Sequence, residues 1–246
     1  MMSSDILKKF QAKFDQIASI ALNEKDSLIK DAHVIPRFLQ EYCDLCLEKM
    51  DNQNTEARFS IFSDLQSLCI EILKSYPAEI DSNGAIKQFF KARANKGSDA
   101  TTIDFSQIIR SIQALKNVKD VTEIENALSF YYYTILEYYI IISNNLAYTC
   151  LEQENYDLAL EFIVKTIQCW QLMEYSSYYL KYQISTVLIN LVSFIEDDYK
   201  FECSQILCNI ALYMEDLELE IDQDPESNQI YEHLNERASQ FLFLLK

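Results

Sequence analysis

Apolar residues recur along most of this chain at three- and four-residue spacing, the period of an α-helix with one buried face. Residues 4–22 place Ile6, Phe10, Phe14, Ile17 and Ile20 or Ala21 on one side and Lys8, Lys9 and Lys13 on the other. A second segment over Asp26–His33 stops near Pro36, because proline is tolerated at a helix start but not inside one. Helical spacing resumes over Arg37–Met50 with Phe38, Tyr42, Leu45 and the pair Cys43 and Cys46. Thr55, followed by Glu56, opens a helix whose apolar face is Phe59, Phe62, Leu65, Cys69 and Ile72; it runs to about Tyr76, where Pro77 ends it. Shorter helices are expected over Ser82–Ala94, bearing Lys87, Lys91 and Arg93, and over Asp104–Asn117. The polar stretch ANKGSDATT around Gly97 between them is a loop.

The amphipathic pattern fails in one place. Ala127–Leu151 carries a single charge, Glu137, and apolar or aromatic side chains fall at almost every angle, as in a helix buried on all sides. Thr122 with Glu125 three residues on predicts a capping box for this central post. Asn155 then caps a surface-type helix with Tyr156, Leu160, Ile163, Ile167 and Trp170 on one stripe. Helices over about 177–197 and 199–217 lead into the acidic stretch DLELEIDQDPES, and a last helix is expected from about Glu226 to the end. The chain is therefore all-α, with nine or ten helices, mostly antiparallel neighbours because their connections are short. A weak internal repeat relates NLAYTCLEQENYDLAL from Asn145 to NLVSFIEDDYKFECSQ from Asn190, the second copy two residues shorter at its connection. The first copy resembles a tetratricopeptide unit, with Leu146, Ala147 and Ala159 where small or apolar residues let paired helices approach.

Composition supports this reading and narrows the partners. Two Gly and three Pro among 246 residues leave little for tight hairpins and favour long helices. The net charge of −17 is lopsided: residues 1–120 hold 16 Lys and Arg against 17 Asp and Glu, and residues 121–246 hold 5 against 21. That sign repels nucleic acid and anionic lipid, and suits basic protein partners or solubility alone. Ala127–Leu151 is long enough to cross a bilayer, yet Glu137, Asn144 and Asn145 are costly there and no Lys or Arg flanks it, so no membrane span is expected. Seven Cys, an odd number lying mostly in apolar helical patterns, and an N-terminus unlike a secretory signal imply a reducing, cytoplasmic setting.

No catalytic constellation emerges, and no enzyme activity or cofactor is expected. Zinc needs about four ligands; the chain has His33, His233 and one close pair, Cys43 and Cys46, within a helical pattern, which reads as core or surface. Neither Gly84 nor Gly97 sits in a phosphate-cradling motif. The acids at 196–198 and 215–226 read as solvated helix ends, and the aromatic run Phe130–Tyr133 as core packing rather than base stacking.

Several segments resemble, in order, the 14-3-3 family. Phe130-Tyr131, five residues and then Glu137-Tyr138-Tyr139 is similar to a phrase of that family's fifth helix; Leu188-Ile189-Asn190-Leu191-Val192 is similar to its seventh; Cys203-Ser204, an acidic loop, and Leu234 with Arg237 are similar in spacing to its eighth and ninth; NTEAR at 54–58 resembles the start of its third. The resemblance covers roughly residues 24–246 and leaves residues 1–22 as an N-terminal helical extension before one domain at 23–246. It implies a right-handed helical cup, a homodimer through N-terminal helices, and an adaptor that holds partner-protein segments, phosphorylated on Ser or Thr or not, in a concave groove. In that family a Lys, two Arg and a Tyr clamp phosphoserine; the matching positions here hold Gln66, Leu73, Ile140 and Ile141. Lys74 is the nearest cation and Asn190 matches the Asn that holds the peptide backbone, so the resemblance implies a peptide site of Lys74, Gln66, Asn190, Ile140 and Ile141 with a degenerate phosphate pocket. The partial repeat supports a different architecture, a tetratricopeptide-type scaffold subunit with no phosphate dependence.

Overall fold

A computed structural model describes residues 2–23, 33–49, 55–76, 80, 84–93, 104–114, 117–195, 199–218 and 236. The described part is overwhelmingly helical: α1 (Met2–Asn23), α2 (Val34–Lys49), α3 (Thr55–Ser75), α4 (Ala85–Arg93), α5 (Phe105–Ala114), α6 (Ala127–Glu152), α7 (Tyr156–Trp170), α8 (Tyr178–Ile195) and α9 (Lys200–Glu218). The segment Asp26–His33 apart from His33, the loop around Gly97, the acidic stretch beyond Glu218 and all but Glu236 of the expected last helix lie outside the described residues.

α6 is the centre of the fold. Leu136, Ile140, Leu146, Ala147 and Cys150 are shut away from water, as are Tyr132 and Tyr139, and only a narrow stripe that includes the half-exposed Tyr148 reaches the surface. α3 runs antiparallel along it, and three contacts fix the register. Arg58 pairs with Glu152, Gln66 donates to Ser143 at 2.7 Å, and the rings of Tyr76 and Tyr132 lie 5.2 Å apart. α7 folds back against α6, and α2 and α8 pack on it as well, while α5 and α9 pack on each other. Phe10 carries α1 into the core through rings 4.9 Å from Tyr42 and 6.3 Å from Phe38.

Four local details differ from the sequence pattern. Pro36 lies inside the first turn of α2 instead of marking a break before it. The first four N–H groups of a helix have no intrahelical acceptor, so a proline there removes nothing. α6 is capped by Asn126, whose Oδ1 accepts from the N–H groups of Leu128 and Ser129 at 2.9 and 3.5 Å. Thr122 instead belongs to a 3-10 turn over Val121–Glu123 capped by Asp120, so the Thr122 and Glu125 pair is not the cap of the central helix. α4 begins at Ala85 rather than Ser82, after Gly84 in the left-handed region at φ 61°. Finally, a two-residue parallel pair joins β1 (Lys119–Asp120) to β2 (Tyr175–Ser176), tying the connection before α6 to the one before α8. Asn155 does cap α7, accepting from the Leu158 N–H at 3.4 Å.

Between α6 and α7 the chain turns through a Schellman motif: the Asn155 N–H donates to the Cys150 carbonyl and the Glu154 N–H to the Leu151 carbonyl, both at 2.9 Å. The residue in the left-handed position is Glu154, at φ 58°, where glycine is usual. A left-handed non-glycine costs about 1–2 kcal/mol, and glycine loses part of that advantage through its freer unfolded chain. Glu154→Gly is therefore expected to raise stability by about 0.5–1 kcal/mol, read as a higher urea midpoint at unchanged slope. Truncating the central helix acts in the opposite sense, and Leu136→Ala is expected to cost about 2–5 kcal/mol in the same experiment.

Candidate functional site

The five residues that the sequence resemblance assembles into a peptide site occupy three helices. Gln66 and Lys74 lie two turns apart on α3, Ile140 and Ile141 on α6, and Asn190 on α8. Ile140 and Ile141 are 0% and 4% exposed, and Leu73 is 2% exposed. These side chains belong to the core, off the narrow stripe of α6 that reaches water at Tyr148, and present no surface to a ligand. Asn190 is buried too, at 6% exposure. Gln66 is engaged inside the molecule: its Nε2 donates to Ser143 Oγ, which itself donates to the Tyr139 carbonyl at 2.7 Å. Lys74, like Gln66, is only partly buried, and its ammonium pairs with Glu71 one turn back at 2.8 Å. The structure thus brings Gln66 into contact with α6, one turn from Ile140, but does not converge the five on an open groove.

Two ionisable groups that the sequence reading did not single out for a role are buried here. Arg58 pairs with Glu152 at the end of α6 where the side chains are 7% and 18% exposed, and its Nε has no hydrogen-bond partner among the described residues. Glu137 is 7% exposed, and its carboxylate accepts from the backbone N–H of Ser177, just ahead of α8. Burial pushes its carboxyl up to about 7; hydrogen bonds from the Ser177 N–H and hydroxyl oppose that rise, and the Asp120 carboxylate adds to it. Glu137 was legible as the lone charge in an otherwise apolar run, and such a charge needs an internal partner. Arg58 carried no comparable signal.

All seven cysteines are free thiols, six of them buried and Cys208 exposed on α9. Burial raises the Cys46 thiol to about 12 and Cys150 to about 11, and also lifts Cys43 and Cys69; Cys43 is raised further by Cys69, Cys46 and Asp44. Cys43 and Cys46 are thus core residues, and among the described residues no group of His, Cys, Asp or Glu is arranged to hold a metal ion. No described helix is long and apolar enough to cross a membrane. An open depression of about 330 Å³ lies beside the β1–β2 pair, lined by Ala114, Asn117, Val118, Lys119, Met173 and Glu174. None of the five expected peptide-site residues lines it.

Comparison of the chain with protein-family models, with characterised proteins and with solved structures gives no significant match.

The Arg58–Glu152 pair yields a stability expectation. Arg58→Ala would leave the largely enclosed Glu152 carboxylate without its cation, a loss of about 3 kcal/mol, toward the low end for buried pairs because Glu152 keeps some exposure. Replacing both with apolar residues, Arg58→Met with Glu152→Leu, is expected to recover most of it, as a double-mutant cycle in urea would read.

Proposed function

We propose that the protein is a helical adaptor or scaffold, 14-3-3-like in outline, that holds segments of partner proteins by shape and apolar contact and does not depend on phosphate. One observation carries the second half of this reading: the positions where the resemblance places a phosphate clamp have no cation to give. Leu73, Ile140 and Ile141 are buried and uncharged, Gln66 donates to Ser143, and Lys74, which is not at one of those positions, sits in a surface pair with Glu71. A phosphate dianion is held by several charge-assisted donors, each contributing about 1.5–3 kcal/mol. With those absent, discrimination for phosphate falls away while a role in binding partner proteins remains. The acidity of residues 121–246 favours partners with basic segments.

The tetratricopeptide-type reading keeps a specific support. α6 with α7 and α8 with α9 are successive helix pairs, and the repeated phrase places Asn145 and Asn190 within the first helix of each pair. It places Tyr156 and Tyr199 at the start of each second helix, both about half exposed. A curved rod of stacked pairs and a W-shaped dimer of cups differ in solution scattering, which decides between the two architectures.

Fluorescence-polarisation titration of a phosphoserine peptide library against its unphosphorylated twin tests the phosphate half. The expectation is equal affinity, within about twofold, for each pair, and no change in Lys74→Ala. A preference of tenfold or more for the phosphorylated members, lost in Lys74→Ala, would overturn it.

A further inference from the structure

Glu137 ties together backbone from three separate stretches of the chain. It projects from the middle of α6; its acceptor oxygen takes the N–H of Ser177; and Ser176, the residue before, is paired with Asp120 across the β1–β2 bridge. Ser177 is the N-terminal cap of α8: its Oγ accepts from the Leu180 N–H at 3.1 Å and its carbonyl from the Lys181 N–H at 3.2 Å. Glu137 therefore holds the capping residue itself, fixing where α8 starts relative to the central helix. The site is enclosed. Tyr133, one turn earlier on α6, packs its ring 5.0 Å from Tyr175 of β2, and Ser176 is fully buried.

We propose that Glu137 and Ser177 form a proton-operated clasp between the central helix and the start of α8, closed when Glu137 carries a proton and loosened when it is ionised beside Asp120. The neutral acid still offers its carbonyl oxygen to the Ser177 N–H and places no charge in the enclosed site. The ionised form keeps that hydrogen bond but buries a charge next to a second carboxylate.

The groups acting on Glu137 are Ser177, through its N–H and hydroxyl, and Asp120. Of the charged groups on neighbouring elements, Arg58 of α3 pairs with Glu152, Lys74 of α3 with Glu71 and Lys165 of α7 with Glu161, while Lys119 of β1 lies over the Tyr175 ring; none of them is among the groups that shift Glu137. Lys181 lies one turn into α8, and the Tyr76 hydroxyl at the end of α3 is raised by burial and by Tyr131; neither is among the groups that shift Glu137. The folded-state value near 7 stands above the ordinary 4.5, so the clasped chain holds a proton that an opened one releases. Its contribution is full below about pH 4.5 and is lost progressively as pH rises to about 7. The device stands whether or not the chain binds partner peptides.

Amide hydrogen exchange of the full chain, read by mass spectrometry over residues 174–181 and corrected for the intrinsic pH dependence of exchange, tests the clasp. Protection is expected to fall by up to about tenfold per pH unit between pH 5 and 7 and to level off above. Glu137→Gln, which keeps shape and acceptor but cannot ionise, is expected to hold the low-pH protection throughout. Asp120→Asn is expected to move the levelling-off to lower pH, and it carries the test should Glu137→Gln fold poorly. Constant wild-type protection from pH 5 to 8, a Glu137→Gln protein that keeps the fall, or an Asp120→Asn protein that levels off where wild type does would overturn the proposal.

Discussion

A helix that leaves only one narrow stripe, including Tyr148, to water has to be surrounded on the rest of its girth, and that requirement on α6 decides where its neighbours go. α3 takes one side along its whole length, from the Arg58–Glu152 pair through Gln66–Ser143 to the Tyr76–Tyr132 rings. α7 folds back onto it through a turn whose backbone hydrogen bonds all return to the last turn of α6. Each large aliphatic side chain so buried contributes about 1.5–3 kcal/mol, which is why a segment of weak amphipathicity still folds as a helix. The cost appears in its polar residues. Asn144 Oδ1 and Asn145 Nδ2 are buried without a hydrogen-bond partner among the described residues, each a loss of about 1–3 kcal/mol.

The same enclosure governs the charges. Where a charged group enters the interior it is either matched, as Arg58 is by Glu152, or pushed toward its neutral form, as Glu137 is. On the outside, Lys13, Lys74 and Lys165 each lie against a carboxylate of a neighbouring residue or helix. In each of these three the ammonium is shared with a nearby carboxylate at the surface.

Helix existence was legible in the sequence because three- and four-residue spacing survives in nearly every segment, and the burial of Ala127–Leu151 was legible because its spacing fails. What escaped depended on the third dimension. Nothing local announces that Lys119–Asp120 will meet Tyr175–Ser176 more than fifty residues later, since two-residue strands have no period to detect. Thr122 and Glu125 have the spacing of a capping box, but Asn126 stands closer to the buried run and its side chain wins the free N–H groups. The expected peptide site failed to converge for a related reason. The resemblance that points to Ile140 and Ile141 rests on spacing, which does not say which face of a long apolar helix is covered, and both are buried here.

The distribution of thiols has a practical side. A thiol reacts as its thiolate, and burial both withdraws six of the seven cysteines from reagents and holds the ones it raises in their protonated form at neutral pH. A maleimide offered to the native chain therefore finds Cys208, on the outer side of α9, which makes that position a natural attachment point for a fluorophore or spin label without engineering. The remaining six sit on α2, α3, α6, α7 and α9, so the order in which they become alkylated as the chain is loosened would chart which layers of the core part first.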